Sequence, residues 1–313
     1  MKNIIIRIGC SKSYIAIAGI LAICIVIVVL FSFSSGDNNN ASPPSNILAK
    51  TPYIPDKISF SGEEVPLQYF DVHESLEKEI IINAYWHSQT ILYLKKANRY
   101  FPLIEPILKA NNIPDDFKYI VVAESGFSDV VSPAGAAGFW HFLESTGREY
   151  GLEINNEVDE RYNLEKATDA ACRYFHESFA LYKSWTLVAA SYNGGRSGID
   201  KQISRQGENN FYDLLFAEET QRYIYRILAF KIVMENPELY GFILNKEELY
   251  KPIPYNELKI NDGIEDMGIF AKQNGTNYKI LKYLNPWLRD IKLTNPQKKE
   301  YIIKIPLPNC REM

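Results

Sequence analysis

Between Ser75 and Tyr240 the apolar residues of this 313-residue chain recur at helical spacing, and nowhere do they alternate in strand fashion. That period lays an apolar stripe along one side of each helix, and such stripes are buried by packing helix on helix. A first segment opens at Ser75-Leu76-Glu77 and runs through Ile80, Ile81, Ala84, Tyr85, Ile91, Leu92 and Leu94. It predicts one long amphipathic helix capped by Ser75 and broken at Phe101-Pro102. Leu103 to Ala110 follows as a short helix ending at Asn111-Asn112. Pro114 starts the next, with Asp115 and Asp116 at the positive end of its dipole. Further helices are predicted over Glu144–Tyr150, Asn163–Tyr182 with Asn163 as N-cap, Trp185–Tyr192 and Glu218–Met234, the last stopped by Asn236-Pro237.

Beyond Tyr250 the pattern changes. Short apolar stretches at Lys259-Ile260 and Tyr301–Pro306 enclose two helical segments, Gly263–Ala271 and Tyr278–Leu284, separated by Asn274-Gly275-Thr276. That order of strand, helix, turn, helix, loop and strand fits a small α+β module. At the other end, Tyr14 to Phe33 is 20 residues without a charge. As a helix it would reach about 30 Å, one hydrocarbon thickness. Lys2, Arg7 and Lys12 are the only charges before Asp37, which holds the N-terminus in the cytoplasm and sends the rest out to the cell envelope. The length favours an uncleaved membrane anchor. The alternative is a signal peptide cut near Ser32-Phe33-Ser34, although such apolar regions run to about 7–15 residues. The domain reading is therefore 1–36 as anchor or signal sequence, 37–74 as a linker whose first part is rich in Ser, Asn, Pro and Gly, 75–245 as a helical domain and 255–308 as the α+β module.

Of 34 basic residues, three lie in the leader, leaving 31 bases against 38 acids, a balance of −7. No strongly basic domain exists, so nucleic acid is not expected as a partner. An anionic polymer would have to be held by hydrogen bonds and stacking rather than by bulk attraction. Outside the leader the cysteines are Cys172, in a helical pattern, and Cys310. An oxidising compartment would permit a bridge between them, but no spacing supports one, and no zinc-type spacing occurs.

The chemistry-bearing stretch is Ala123-Glu124-Ser125-Gly126-Phe127, followed by Ser132-Pro133-Ala134-Gly135-Ala136-Ala137-Gly138-Phe139-Trp140. Glu124 ends the run Phe117-Lys118-Tyr119-Ile120-Val121-Val122-Ala123, in which six of seven residues are uncharged. A carboxyl set against apolar residues loses hydration and can hold a proton near neutral pH, as a general acid must. The competing reading is a solvated glutamate at a helix end.

The run ESGF…SPAGAAGFW…STGREYGL…VDERYN…EKATDAACRYF…LVAASYNGG resembles the membrane-bound lytic murein transglycosylases of the D type over about Leu103 to Met234. The resemblance implies a mainly α protein: a lysozyme-like helical catalytic domain of the goose type, followed by the α+β module. It implies cleavage of the β-1,4 bond between N-acetylmuramic acid and N-acetylglucosamine in peptidoglycan, without a cofactor. Glu124 would protonate the glycosidic oxygen. It would then take the proton of the sugar's own C6 hydroxyl, leaving a 1,6-anhydro ring. Ordinary glycosidases need two carboxylates; here the substrate supplies the nucleophile.

By the same resemblance Ser132 orients the N-acetyl group or Glu124, against the reading of a turn serine before Pro133. His141 stands where the family shows glutamine, in a substrate-contacting position, and Leu143 where it shows methionine. Tyr192 and Asn193, in Ser191-Tyr192-Asn193-Gly194-Gly195, serve the acid and the sugar, against a plain helix C-cap. Tyr223 reaches towards the acid, against a half-buried helix tyrosine. Asp129, Glu144 and Asp159 are the other nearby carboxylates. Glu144 replaces the family's proline, and Val158-Asp159-Glu160-Arg161 reads as a capping and ion-pair turn. The C-terminal module resembles a degenerate LysM domain through Leu284-Asn285-Pro286 and Ile303-Lys304-Ile305-Pro306, while Asn261-Asp262-Gly263-Ile264 departs from the Gly-Asp-Thr opening. It implies glycan binding, with packing as the alternative. A hydrolytic muramidase on the same fold and a weakened peptidoglycan-binding protein remain the competing functions. The sequence sets no oligomeric state.

Overall fold

The computed structural model describes residues 50–312. The anchor expected over residues 14–33 lies outside the described residues. Among those described, no helix is long and apolar enough to cross a membrane.

The protein is mainly α, with a small two-stranded sheet near its C-terminus. Its helical part comprises α1 (Phe70–Tyr85), α2 (His87–Ala110), α3 (Lys118–Ser125), α4 (Glu144–Glu149), α5 (Leu164–Tyr182), α6 (Trp185–Gly194), α7 (Arg196–Gln206) and α8 (Glu218–Glu235). α8 is central and packs against α1, α3 and α6. Its buried residues, Tyr223, Ile224, Ile227, Leu228 and Val233 among them, are spread around the helix rather than along one stripe. That is the pattern of a helix enclosed by others. Asn163 accepts from the Lys166 N–H and caps α5, as its sequence predicts.

The first helical segment differs from the expected one. α1 begins at Phe70 rather than Ser75, and the chain turns at Trp86 instead of at Phe101-Pro102. No residue at the Trp86 turn breaks a helix chemically. The turn lets α1 face α8 while α2 faces α5. α2 then runs straight through Pro102 and Pro106. Both prolines are exposed, four residues apart on the solvent side. There the carbonyls deprived of an N–H partner can bond water.

The stretch read as linker up to residue 74 is also packed in its later part. Ser59–Phe60 (β1) and Glu63–Glu64 (β2) pair across a Ser61-Gly62 turn in which both residues have positive φ. Phe60 is fully buried against Phe117, ring centroids 5.5 Å apart. The Glu63 carboxylate accepts from the Trp185 and Thr186 N–H groups and from both the Ser184 and Thr186 hydroxyls. It thereby fills the orphan donors at the start of α6.

The C-terminal module has β3 (Tyr255–Ile260) and β4 (Tyr301–Pro306) paired antiparallel, Tyr255 opposite Pro306 and Ile260 opposite Tyr301, with α9 (Met267–Gln273) and α10 (Tyr278–Leu284) between them. Its core of Met267, Leu281, Trp287, Leu288, Leu293 and Ile303 also takes in Ala137, Val158 and Tyr162 from the helical part. The Asp159 N–H donates to Trp287 O (2.9 Å), the Arg289 N–H donates to Glu157 O (2.7 Å), and Lys304 pairs with Glu165. The module is thus docked on the segment 153–165 and on the small-residue loop.

That loop, 132–142, is held from beneath. The Asp159 and Arg161 side chains, each 10% exposed, form a forked ion pair, and Arg161 Nη1 donates to Gly135 O (2.9 Å) and Phe142 O (3.2 Å). Gly138 has φ +76°, and a Cβ there would stand 1.9 Å from Arg161 O. Gly135 also has positive φ (+83°) but faces open space. Gly138→Ala is therefore expected to cost about 3 kcal/mol or more in denaturant unfolding, and Gly135→Ala only about 1 kcal/mol, the backbone penalty alone.

Both described cysteines are free, Cys172 buried and Cys310 partly accessible. Burial pushes the Cys172 thiol up to about 12. Peptide mass mapping after treatment with a thiol reagent at pH 8 should find Cys310 modified in the folded chain and Cys172 modified only after unfolding.

Candidate active site

Glu124 sits in the last turn of α3. The helix is short because Gly126, in the left-handed conformation at φ +54°, closes it by donating to Val122 O. A Cβ at Gly126 would meet the Tyr93 ring at 2.4 Å, so the position excludes a side chain. Lys96 Nζ donates to Gly126 O, Phe127 O and Ser128 Oγ at 3.1–3.2 Å and holds the turn beyond the acid. Ser125 Oγ donates to Phe139 O (2.9 Å) and ties α3 to the small-residue loop. The apolar face of α3, Tyr119 to Val122, is buried, which directs the Glu124 side chain towards α8 and the loop with 15% of it exposed.

Three groups meet there. Tyr223 Oη, on α8, donates to Glu124 Oε1 at 2.5 Å. His141 Nδ1, from the loop, stands 3.6 Å from Glu124 Oε2. Tyr223 is 1% exposed; its burial first, and then the neighbouring Glu124 charge, push its pKa well above the ordinary phenol value, so it remains a donor. His141 has φ +54°, a conformation that histidine tolerates better than most residues, and its Nε2 is buried with no hydrogen-bond partner. The two carboxylate oxygens are therefore differentiated. One is engaged by a phenol; the other faces an imidazole across a gap slightly too long for a hydrogen bond.

Tyr192 joins this group at one remove. Its hydroxyl donates to Trp140 O (2.6 Å), fixing the backbone next to His141, while Trp140 is fully buried and donates from Nε1 to Thr168 Oγ1 (2.8 Å). Burial, followed by the Glu124 charge, raises the Tyr192 pKa well above its ordinary value. Asn193 and Ser132 lie outside the hydrogen-bonded group. Asn193 Oδ1 accepts from Thr220 Oγ1 (3.0 Å) and ties the end of α6 to α8. Ser132 Oγ accepts from the Ala136 N–H (3.0 Å) and closes the loop on itself. The other carboxylates are spoken for or remote. Glu144 pairs in solvent with Arg148 (2.8 Å), Asp159 pairs with Arg161, and Asp129 is exposed. None of the three is hydrogen-bonded to Glu124.

Sequence reasoning did not single out Lys96, Thr168 or Thr220. All three act across elements far apart in the chain, and no local pattern marks them. A cavity of about 430 Å³ lies at the seam between the helical part and the C-terminal module, and Glu124 is not among its walls. The Glu124 side chain is instead partly open to solvent, with 15% of it exposed.

Residues 102–215 match the transglycosylase SLT domain, and residues 256–309 match the soluble lytic transglycosylase C-terminal LysM-like domain. The membrane-bound lytic murein transglycosylase D of Escherichia coli K12 is 28% identical over 195 residues, which are 59% of this chain and 42% of that protein. The same protein from Escherichia coli O6:H1 gives the same figures. The alignment thus spans less than half the length of these curated relatives. Among solved structures, an inactive mutant of the lytic transglycosylase Slt from Pseudomonas aeruginosa aligns with a TM-score of 0.37 at 17% identity, over 49% of this chain and 26% of that one. This chain therefore joins a transglycosylase SLT domain to a LysM-like domain of the soluble lytic transglycosylase type.

Proposed function

We propose that this protein is a peptidoglycan lytic transglycosylase of the cell envelope, held to the membrane by residues 14–33. It cleaves the β-1,4 bond between N-acetylmuramic acid and N-acetylglucosamine and leaves 1,6-anhydromuramic acid ends. The observation that carries this reading is a lone, mostly buried carboxyl whose two oxygens have different partners, Tyr223 on Oε1 and His141 facing Oε2. The SLT match over residues 102–215, which takes in Glu124 and His141 and ends before Tyr223, supports it.

The chemistry follows from that difference. Oε1 is occupied by a donor, so Oε2 carries the mobile proton. Protonated, Glu124 gives it to the glycosidic oxygen as the bond breaks. The carboxylate that results is stabilised by the Tyr223 hydroxyl, a hydrogen bond that strengthens as charge develops. The same oxygen then accepts the proton of the C6 hydroxyl, which closes the anhydro ring. One carboxyl thus works in both directions, and no second acid is needed. A hydrolytic enzyme would need a base aimed at a water, yet Asp129, Glu144 and Asp159 are exposed, solvent-paired and buried in an ion pair respectively. Ser132 and Asn193 act in this reading by holding the loop and the end of α6, and His141 and Tyr192 by facing the acid and fixing the backbone beside it.

Digestion of purified peptidoglycan, with the muropeptides read by mass spectrometry, should release products ending in 1,6-anhydromuramic acid. Reducing ends would instead point to the hydrolase, and binding without release to a weakened binding protein. Glu124→Gln should abolish release; full activity in that variant would overturn the assignment.

Tyr223→Phe should lower kcat by about 10- to 100-fold with KM little changed. It removes a hydrogen bond to a charged group worth about 1.5–3 kcal/mol that matters most once the carboxylate has formed. The wild-type phenol keeps its proton above its ordinary titration range, so this donor should not be lost as pH rises through 10. An alkaline loss of activity near pH 10 that disappeared in Tyr223→Phe would contradict this role.

A further inference from the structure

The cavity at the module seam is outside the reaction described above. Its walls come from both parts of the chain: Tyr100 and Phe139 on one side, and Tyr255, Tyr283, Pro286 and Trp287 on the other. Its volume of about 430 Å³ falls in the range of small-ligand sites, roughly 300–1,000 Å³, and such sites favour domain junctions. It also borders the catalytic loop. Phe139 is two residues from His141, and its carbonyl accepts from Ser125, the neighbour of Glu124.

The charges around this apolar cleft are unbalanced. Arg99 donates to Lys251 O and Tyr283 Oη, and Lys282 donates to Leu288 O and Asp290 O. Their hydrogen-bond partners are backbone and phenol oxygens, not carboxylates; burial, and then Arg289, lower the Lys282 pKa, and Asp290 opposes them through its charge alone. Lys279 adds a third positive charge at the exposed rim. The remaining cations on the walls are already matched, Lys304 by Glu165 and Arg161 by Asp159. Asp129 is the one acid on the walls outside those pairs, and the charges of Arg289 and Lys96 act on it. In a chain whose balance beyond the leader is −7, an aromatic cleft with a surplus of cations is suited to a ligand with apolar side chains and a carboxylate. A neutral saccharide would leave the guanidinium and ammonium groups without counter-charge.

We propose that this cleft binds the short carboxylate-bearing peptide stem of peptidoglycan, so that the chain engages stem-bearing glycan in preference to bare glycan. The inference rests on the substrate class proposed above. It assigns to the seam a selectivity that the groups around Glu124 do not supply. A peptide of four residues reaches up to about 14 Å, and the cleft shares Phe139 with the loop that carries His141.

The test uses the full chain carrying Glu124→Gln, so that ligands bind without being cut. Affinities are measured for glycan oligomers with peptide stems and for the same oligomers after the stems are removed. Stem-bearing oligomers should bind about tenfold more tightly, and the preference should shrink when salt is raised from about 0.05 M to 0.5 M. Arg99→Gln with Lys282→Gln should bring the two affinities close together. Those side chains also anchor backbone carbonyls, so Lys279→Glu, an exposed charge reversal, gives an independent variant that should reduce the preference. Equal affinities, a preference for bare glycan, or a preference untouched by salt and by Lys279→Glu would each overturn the proposal. Its failure is separable from failure of the function. A wild-type chain that cuts both substrates equally sinks only the stem site, whereas one that cuts neither sinks the transglycosylase reading.

Discussion

The architecture of the site depends on one buried ion pair. Asp159 and Arg161 are two residues apart, and the carboxylate both caps the turn between them and takes the guanidinium fork. A planar fork with several donors can serve a carboxylate and two carbonyls at once, which a lysine ammonium cannot do in fixed geometry. Arg161 uses its Nη1 on Gly135 O and Phe142 O, one within the small-residue loop and the other at its end. The Asp159 N–H reaches the other way, to Trp287 O in the C-terminal module. Removing one partner would strand a buried charge, a loss of about 3–5 kcal/mol, and would release loop and module together.

What that loop carries explains why it must be held. Trp140 O receives the Tyr192 hydroxyl, and His141 faces Glu124. The Trp140 carbonyl and the His141 side chain both come from the glycine-rich loop, whereas Tyr192 projects from α6. The opposite wall is rigid. Tyr223 projects from α8, which α1, α3 and α6 enclose, and its phenol is pinned between core packing and Glu124 Oε1. One carboxyl is thus suspended between a fixed donor and a wall whose position is set by the ion pair. In the proposed reaction the carboxyl gives a proton and takes one back, so its geometry has to be preserved in both charge states, and donors positioned in advance avoid reorganisation between the two steps.

Much of this was legible in the residues. The Gly126 stop and the Asn163 cap are local chemistry, and each gives its helix boundary directly, while Pro114 opens a 3-10 turn, Asp115–Phe117, that leads into α3 at Lys118. The order of elements in the C-terminal module could be read in the same way. The misreadings arise where tertiary packing outweighs local signals. Pro102 looks like a breaker, but on a solvent face its cost is met by water, whereas the real turn at Trp86 has no breaker and follows from which helix faces which. α7 carries a single buried residue, Ile199, so it has no apolar period to detect. Phe60 and Glu63 lie in a stretch that begins as polar low complexity, and their partners Phe117 and Trp185 are far along the chain. At the site, the resemblance brought Glu124, Tyr192 and Tyr223 forward. The indirect routes by which Ser132 and Asn193 bear on it, one closing a loop and the other tying α6 to α8, required coordinates.

The docking of the C-terminal module changes what such a module can contribute. A module on a flexible tether acts by raising the effective concentration of its ligand near the catalytic domain, with no fixed geometry between the two. Here Ala137, from the small-residue loop itself, is packed in the same core as Leu281, Trp287 and Ile303. Glu153 bonds Lys299 and the Tyr301 hydroxyl, and Glu157 bonds Thr294, so acidic residues on one segment grip the module at several points. Helical part and module therefore form one surface, and any chain of substrate crossing the seam meets walls at fixed separations. Under the proposed function, contact with a glycan strand on both parts requires no motion of the module. The same packing that steadies the loop beside Glu124 also determines what lies a short distance away from it.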